Sequence, residues 1–120
     1  MSHDPRFENL CSEAKSRIRE ISAIDAASAR SQGAQLIDVR EASDFDKEHA
    51  AGALHLSKSI IEMKIEQSVP NLTTLIICYC GGGNRSALVA DNLQKMGYDN
   101  VRSLAGGFKA WKEAGLLTES

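Results

Sequence analysis

The chain reads as an α/β domain with a central, mainly parallel sheet flanked by helices. Three observations predict this class. Short apolar and β-branched runs alternate with segments of helical spacing along most of the chain, the signature of a parallel α/β sheet. Glycine or proline closes most of the helical segments. An apolar strand ends in a cysteine, at the carboxyl end of the sheet, where such folds hold their ligands. There is no internal repeat, low-complexity segment or linker in the 120 residues.

The elements follow in order. Residues 5–19 place Phe7, Leu10, Cys11, Ala14 and Ile18 near helical spacing with charges between them, which predicts a helix. Residues 18–22 read as a short strand. Residues 24–32 form a second helix, stopped by Gly33. Residues 36–40, Leu-Ile-Asp-Val-Arg, are a strand by apolar and β-branched content. The polar residues 41–52 read as a loop with a short helical turn. Residues 53–57 alternate as a third strand, and residues 60–67 are helical, closed before Pro70. Residues 74–79, Thr-Leu-Ile-Ile-Cys-Tyr, are the next strand. A helix then runs to Met96 with Gly97 as its C-cap. Residues 101–104 are the last strand, Gly106-Gly107 a turn, and residues 108–114 a final helix ended by Gly115.

Cys80 carries the chemistry. It opens the loop Cys80-Gly81-Gly82-Gly83-Asn84-Arg85, and the helix starting at Ser86 follows at once. A free cysteine alone is more often a small apolar filler. This one sits on a strand-to-helix turn, where backbone N–H groups converge and the helix dipole is positive. That setting favours the thiolate, which is the nucleophile. Three successive glycines tolerate positive φ and have no Cβ to block a ligand. Arg85 adds a fixed positive charge. The loop reads as a cradle for an anion carried on, or attacked by, Cys80.

Composition narrows the classes. With 42% hydrophobic and 25% charged residues the chain is ordinary for one globular domain. A net charge of −2 gives no basis for a nucleic-acid binder or an anionic-membrane binder. No apolar run approaches the roughly 20 residues of a membrane span. The polar start over residues 1–6 lacks the apolar core of a secretory signal, so a cytoplasmic location is expected. Three cysteines are too few for a disulfide scaffold.

Five stretches in this order resemble the single-domain rhodanese family of sulfurtransferases. They are residues 36–41, 49–53, 77–87, 97–101 and 104–111, including Cys80, Asn84-Arg85-Ser86-Ala87 and Leu104-Ala105-Gly106-Gly107-Phe108. The resemblance covers roughly residues 20–117. It divides the chain into an N-terminal helical extension, residues 1–19, and a rhodanese-like α/β domain, residues 20–120. It implies that Cys80 takes up a sulfane sulfur as a persulfide and passes it to cyanide or a thiol. Gly81, Gly82, Gly83, Asn84, Arg85 and Ser86 would hold that sulfur through their N–H groups. No metal or organic cofactor is implied. The partners implied are a small-molecule sulfur donor and acceptor, or a protein persulfide as donor. Both a monomer and a homodimer fit the sequence. The cell-cycle phosphatases that resemble this fold carry a Cys-to-Arg loop one residue longer. The shorter loop here suits a cysteine bearing one extra sulfur and ranks sulfur transfer above phosphatase or arsenate-reductase activity.

The sequence departs from the family pattern in two places. Gly81 and Gly82 stand where efficient thiosulfate users often carry basic side chains, so capture of a dianion should be weaker. The usual Gly-His-Ile-Pro-Gly-Ala segment reads Glu48-His49-Ala50-Ala51-Gly52-Ala53. Asp38 and Arg40 end a strand on the side of Cys80 and are expected to support the site. Arg85 either orients an anionic donor or braces the loop against a carboxylate. His49 is expected to be a structural hydrogen-bonding residue, and Cys11, Cys78, Phe108 and Trp111 to pack in the core. Cys78 lies two residues from Cys80, so both side chains face the same way. Packing is favoured over a resolving-thiol role for it.

Overall fold

The computed structural model describes residues 4–120; the first three residues of the polar start lie outside the described residues. Helix α1, Pro5–Arg17, begins with proline in its first turn and ends with Lys15 and Arg17, where cations complement the helix dipole. It leads into β1, Arg19–Ile21. Helix α2, Ala23–Ser31, is capped by Ser22, whose hydroxyl accepts from the Asp25 N–H at 3.2 Å. Strand β2, Gln35–Asp38, helix α3, Ala42–Lys47, and the short strands β3, His49–Ala50, and β4, Leu54–His55, follow. Helix α4, Ile61–Ser68, precedes β5, Ile76–Tyr79. Helix α5, Asn84–Lys95, β6, Val101–Leu104, helix α6, Gly107–Glu113, and β7, Thr118–Glu119, complete the order.

Five strands pair in parallel in the order β1-β6-β5-β2-β4, so β5 is the middle strand. The period of two along the strands divides the core between the two faces. Ile37, Val39, Ile76, Cys78 and Cys80 pack with Ile61, Ile65, Val89 and Leu93 of α4 and α5. Leu36, Ile77 and Tyr79 pack with Ala23, Ala26, Phe108 and Trp111 of α2 and α6. Cys78 and Cys80 therefore share a face, as their spacing predicts.

Most predicted elements stand within a residue or two of their expected bounds. Two features differ. Leu10, expected on the apolar face of α1, is 52% exposed; Cys11 and Ala14 are the buried positions. The segment read as a loop with a helical turn also carries β3, which pairs antiparallel with β7 through His49↔Glu119 and Ala50↔Thr118. Strands of two residues are too short for periodicity to register.

Candidate active site

Strand β5 delivers Cys80 to the carboxyl edge of the sheet, at the sheet's centre. Cys80 is 2% exposed and lines a cleft of about 190 Å³ together with Phe7, Gly82, Asn84 and Arg85. The Gly83 N–H donates to Cys80 Sγ at 3.1 Å and the Ser86 N–H at 3.4 Å. Ser86 Oγ lies 3.4 Å from the same sulfur and 2.9 Å from Ser103 Oγ of β6. Two amide dipoles and a hydroxyl relay thus converge on one sulfur at the start of α5, where negative charge is favoured.

The turn has this shape because its carbonyls are tied away from the sulfur. The Phe108 N–H donates to the Cys80 carbonyl at 2.8 Å, and the Lys109 N–H to the Gly81 carbonyl at 3.3 Å. Glycine at 107, with φ of +59°, permits that approach. A Cβ there would stand 2.5 Å from the Cys80 carbonyl oxygen and 2.6 Å from that of Gly81. Gly83 caps α5 at φ of +104°, a conformation that turns its N–H back to the sulfur and that side chains resist.

The predicted loop residues divide in role. Gly83 and Ser86 reach the sulfur directly. Gly82, Asn84 and Arg85 line the cleft. Gly81 is exposed, and a Cβ on it would meet nothing within 4 Å. Arg85 is half-buried, and among the described residues no carboxylate pairs with it. Asp38 and Arg40 stand apart from the cleft lining. They form a buried fork, with Arg40 Nη2 donating to Asp38 Oδ2 at 2.8 Å and Arg40 Nε to both carboxylate oxygens at 3.1 Å. The Arg40 guanidinium lies 4.5 Å from the Phe108 ring centroid, and Phe108 holds the Cys80 carbonyl. The pair sits behind the residue that shapes the turn.

Cys78 and His49 are held in structural surroundings. Burial pushes the Cys78 thiol up to about 12. His49 Nδ1 donates to the Phe45 carbonyl at 2.7 Å, and the two rings stack at 3.6 Å. A second hollow, about 140 Å³, is lined by Ala27, Arg30, Ala51, Trp111, Leu116 and Leu117 and holds no nucleophile.

Three contributors escaped the sequence reading: Phe7, Lys15 and Ser103. Lys15 Nζ donates to Asn84 Oδ1 at 2.9 Å, linking α1 to the first residue of α5. The helical stripe Phe7, Cys11, Ala14 and Ile18 signalled that α1 packs on something, but not that its first turn borders the cysteine. Nothing local marks Ser103; only the β5–β6 pairing brings it beside Ser86.

The comparisons with known proteins agree with this geometry. The rhodanese-like domain family model matches residues 22–114. The chain is 33% identical to thiosulfate sulfurtransferase GlpE of Pseudomonas entomophila, over 81% of this chain and 87% of that protein. It is 38% identical to the protein of the same name from Coxiella burnetii, over 64% and 70% of the two chains. In shape it is similar to a Rhodopseudomonas palustris protein of unknown function described as a possible tyrosine phosphatase. That match has a TM-score of 0.84 at 26% identity and covers 99% of this chain and 98% of the other. It is also similar to a thiosulfate sulfurtransferase from Pseudomonas aeruginosa, with a TM-score of 0.77 at 31% identity, covering 84% of this chain and 20% of that one. The parallel sheet, the cysteine at its carboxyl edge and the matched stretch agree: this chain belongs to the rhodanese-like domain family.

Proposed function

We propose that the chain is a rhodanese-type sulfurtransferase that carries a sulfane sulfur as a persulfide on Cys80. One observation carries the reading: a cysteine lining a cleft, with two backbone N–H groups and a serine hydroxyl on its sulfur. The relatives named as thiosulfate sulfurtransferases support it. The Cys80 thiolate attacks the outer sulfur of thiosulfate. The donor's S–S bond breaks, sulfite leaves with its electron pair, and the persulfide anion stays on Cys80. Cyanide then attacks the outer sulfur, giving thiocyanate and the free thiolate.

The relay supplies a donor when the sulfur is charged. With Cys80 protonated, its thiol donates to Ser86 Oγ. With Cys80 ionised, Ser103 donates to Ser86 and Ser86 donates to the sulfur, alongside the Gly83 and Ser86 N–H groups. Arg85, which lines the cleft, orients the anionic end of the donor in this reading. A thiol acceptor and a protein persulfide donor use the same two steps.

The loop also bears on the phosphatase description of the similar Rhodopseudomonas palustris protein. Four residues separate Cys80 from Arg85, one fewer than in the loop of the cell-cycle phosphatases that resemble this fold. Steady-state kinetics with thiosulfate and cyanide test the choice. Parallel double-reciprocal lines, and background rates for Cys80→Ser, are expected for two-step covalent transfer. Retained turnover in Cys80→Ser contradicts the assignment. Hydrolysis of an aryl phosphate without thiocyanate formation favours the phosphatase reading.

A further inference from the structure

We propose that α1 forms a wall of the Cys80 cleft and that its Phe7 sets a preference for sulfur donors carrying an apolar organic group; this rests on the sulfur-transfer reading above. Phe7 lines the cleft together with Cys80, Gly82, Asn84 and Arg85, yet it lies outside the family-matched residues 22–114. The helix that carries it is fixed to the site. Cys11 and Ala14 are buried, and Lys15 bonds Asn84 at 2.9 Å. Arg17 forks onto Asp91 of α5 at 3.0 and 2.8 Å, and Gln94 Nε2 donates to the Arg17 carbonyl at 3.0 Å. Phe7 is thereby held against the same helix that begins with Asn84 and Arg85.

The lining is unequal in chemistry. The described lining offers a guanidinium, an amide and glycine backbone on the one hand and an aromatic ring on the other. Gly81 and Gly82 add no charge to the loop. A small inorganic dianion meets the Arg85 guanidinium of the described lining and gains nothing from the ring, which displaces water that would solvate its charge. A monoanionic organic donor matches both features. Its charged sulfur end meets Arg85 and the loop N–H groups, and its hydrocarbon lies against Phe7. The substrate class is organic thiosulfonates and organic persulfides. For an aryl thiosulfonate the Cys80 thiolate attacks the terminal sulfur and the S–S bond breaks. The arenesulfinate leaves with the bonding pair, and Cys80 keeps the sulfur as a persulfide anion, so atoms and charge balance.

The test compares benzenethiosulfonate with thiosulfate, each with cyanide as acceptor, for wild type, Phe7→Gln and Phe7→Leu. Wild type should favour benzenethiosulfonate in kcat/KM. Phe7→Gln should lower the benzenethiosulfonate-to-thiosulfate ratio roughly tenfold, mainly through KM, and Phe7→Leu should retain most of it. Both donors are read on one preparation, so any loss of folded protein cancels in the ratio. An unchanged ratio in Phe7→Gln, or a wild type that prefers thiosulfate, overturns the inference and leaves sulfur transfer standing. A wild type that turns over neither donor fells the sulfur-transfer reading and this inference with it.

Discussion

Gly107 shapes the cysteine turn without touching the sulfur. An alanine there takes on a left-handed backbone, about 1–2 kcal/mol in cost. Its Cβ also meets the Cys80 and Gly81 carbonyl oxygens that α6 now holds. The turn must shift, and the Gly83 and Ser86 N–H groups shift with it. Gly107→Ala is therefore expected to lower kcat/KM about a hundredfold, the scale of a misplacement near 1 Å. Unaltered kcat/KM would contradict the tie between α6 and the site. Cys78 gives a prediction in pH. Burial raises its thiol from the ordinary 9.0 to about 12, and raises the Cys11 thiol in the same direction. The unfolded chain releases these protons first as pH rises. The stabilisation from Cys78 is complete below 9.0 and is lost as pH climbs toward about 12, and that from Cys11 is lost in the same direction. The urea midpoint should fall between about pH 8 and about pH 10, and fall less in Cys78→Ala. A flat midpoint would place these thiols in contact with water.

At the scale of elements, α1 is joined to α5 by Arg17 and Asp91. The Arg17 hydrogen bond holds the Asp91 carboxyl below its ordinary 3.8, against burial, which pushes it the other way. The contribution of this pair is present above that value and is lost as pH falls through the lowered one. Asp91→Asn should speed amide hydrogen exchange in α1 more than in β5 or β6; equal protection in the variant would contradict the role given to the pair. The elements were largely legible because each carries its own local signal. Apolar spacing over residues 5–19 marks α1, the stop at Gly33 marks the end of α2, and the apolar run ending at Tyr79 marks β5. Strands β3 and β7 were not, because pairing across the chain, and not their own residues, defines them.

At the scale of the molecule, the parallel order places β5 at the middle of the sheet and its cysteine at the carboxyl edge. Cys80, the glycines, Asn84, Arg85 and Ser86 were legible because they are contiguous in sequence. Asp38 and Arg40 were legible as strand-end residues near that edge, but their pairing was not, and their route to the turn passes through Phe108. Phe7, Lys15 and Ser103 come from distant segments that only folding brings to the cysteine, so no local pattern announces them. The account's central claim is that Cys80 carries a sulfur atom during turnover. Intact-protein mass spectrometry after brief exposure to a sulfane donor tests it most directly, with thiosulfate and benzenethiosulfonate used in turn. The account predicts a gain of one sulfur atom in wild type, reversed by cyanide and absent in Cys80→Ser. No gain in wild type with either donor, or an equal gain in Cys80→Ser, would contradict it.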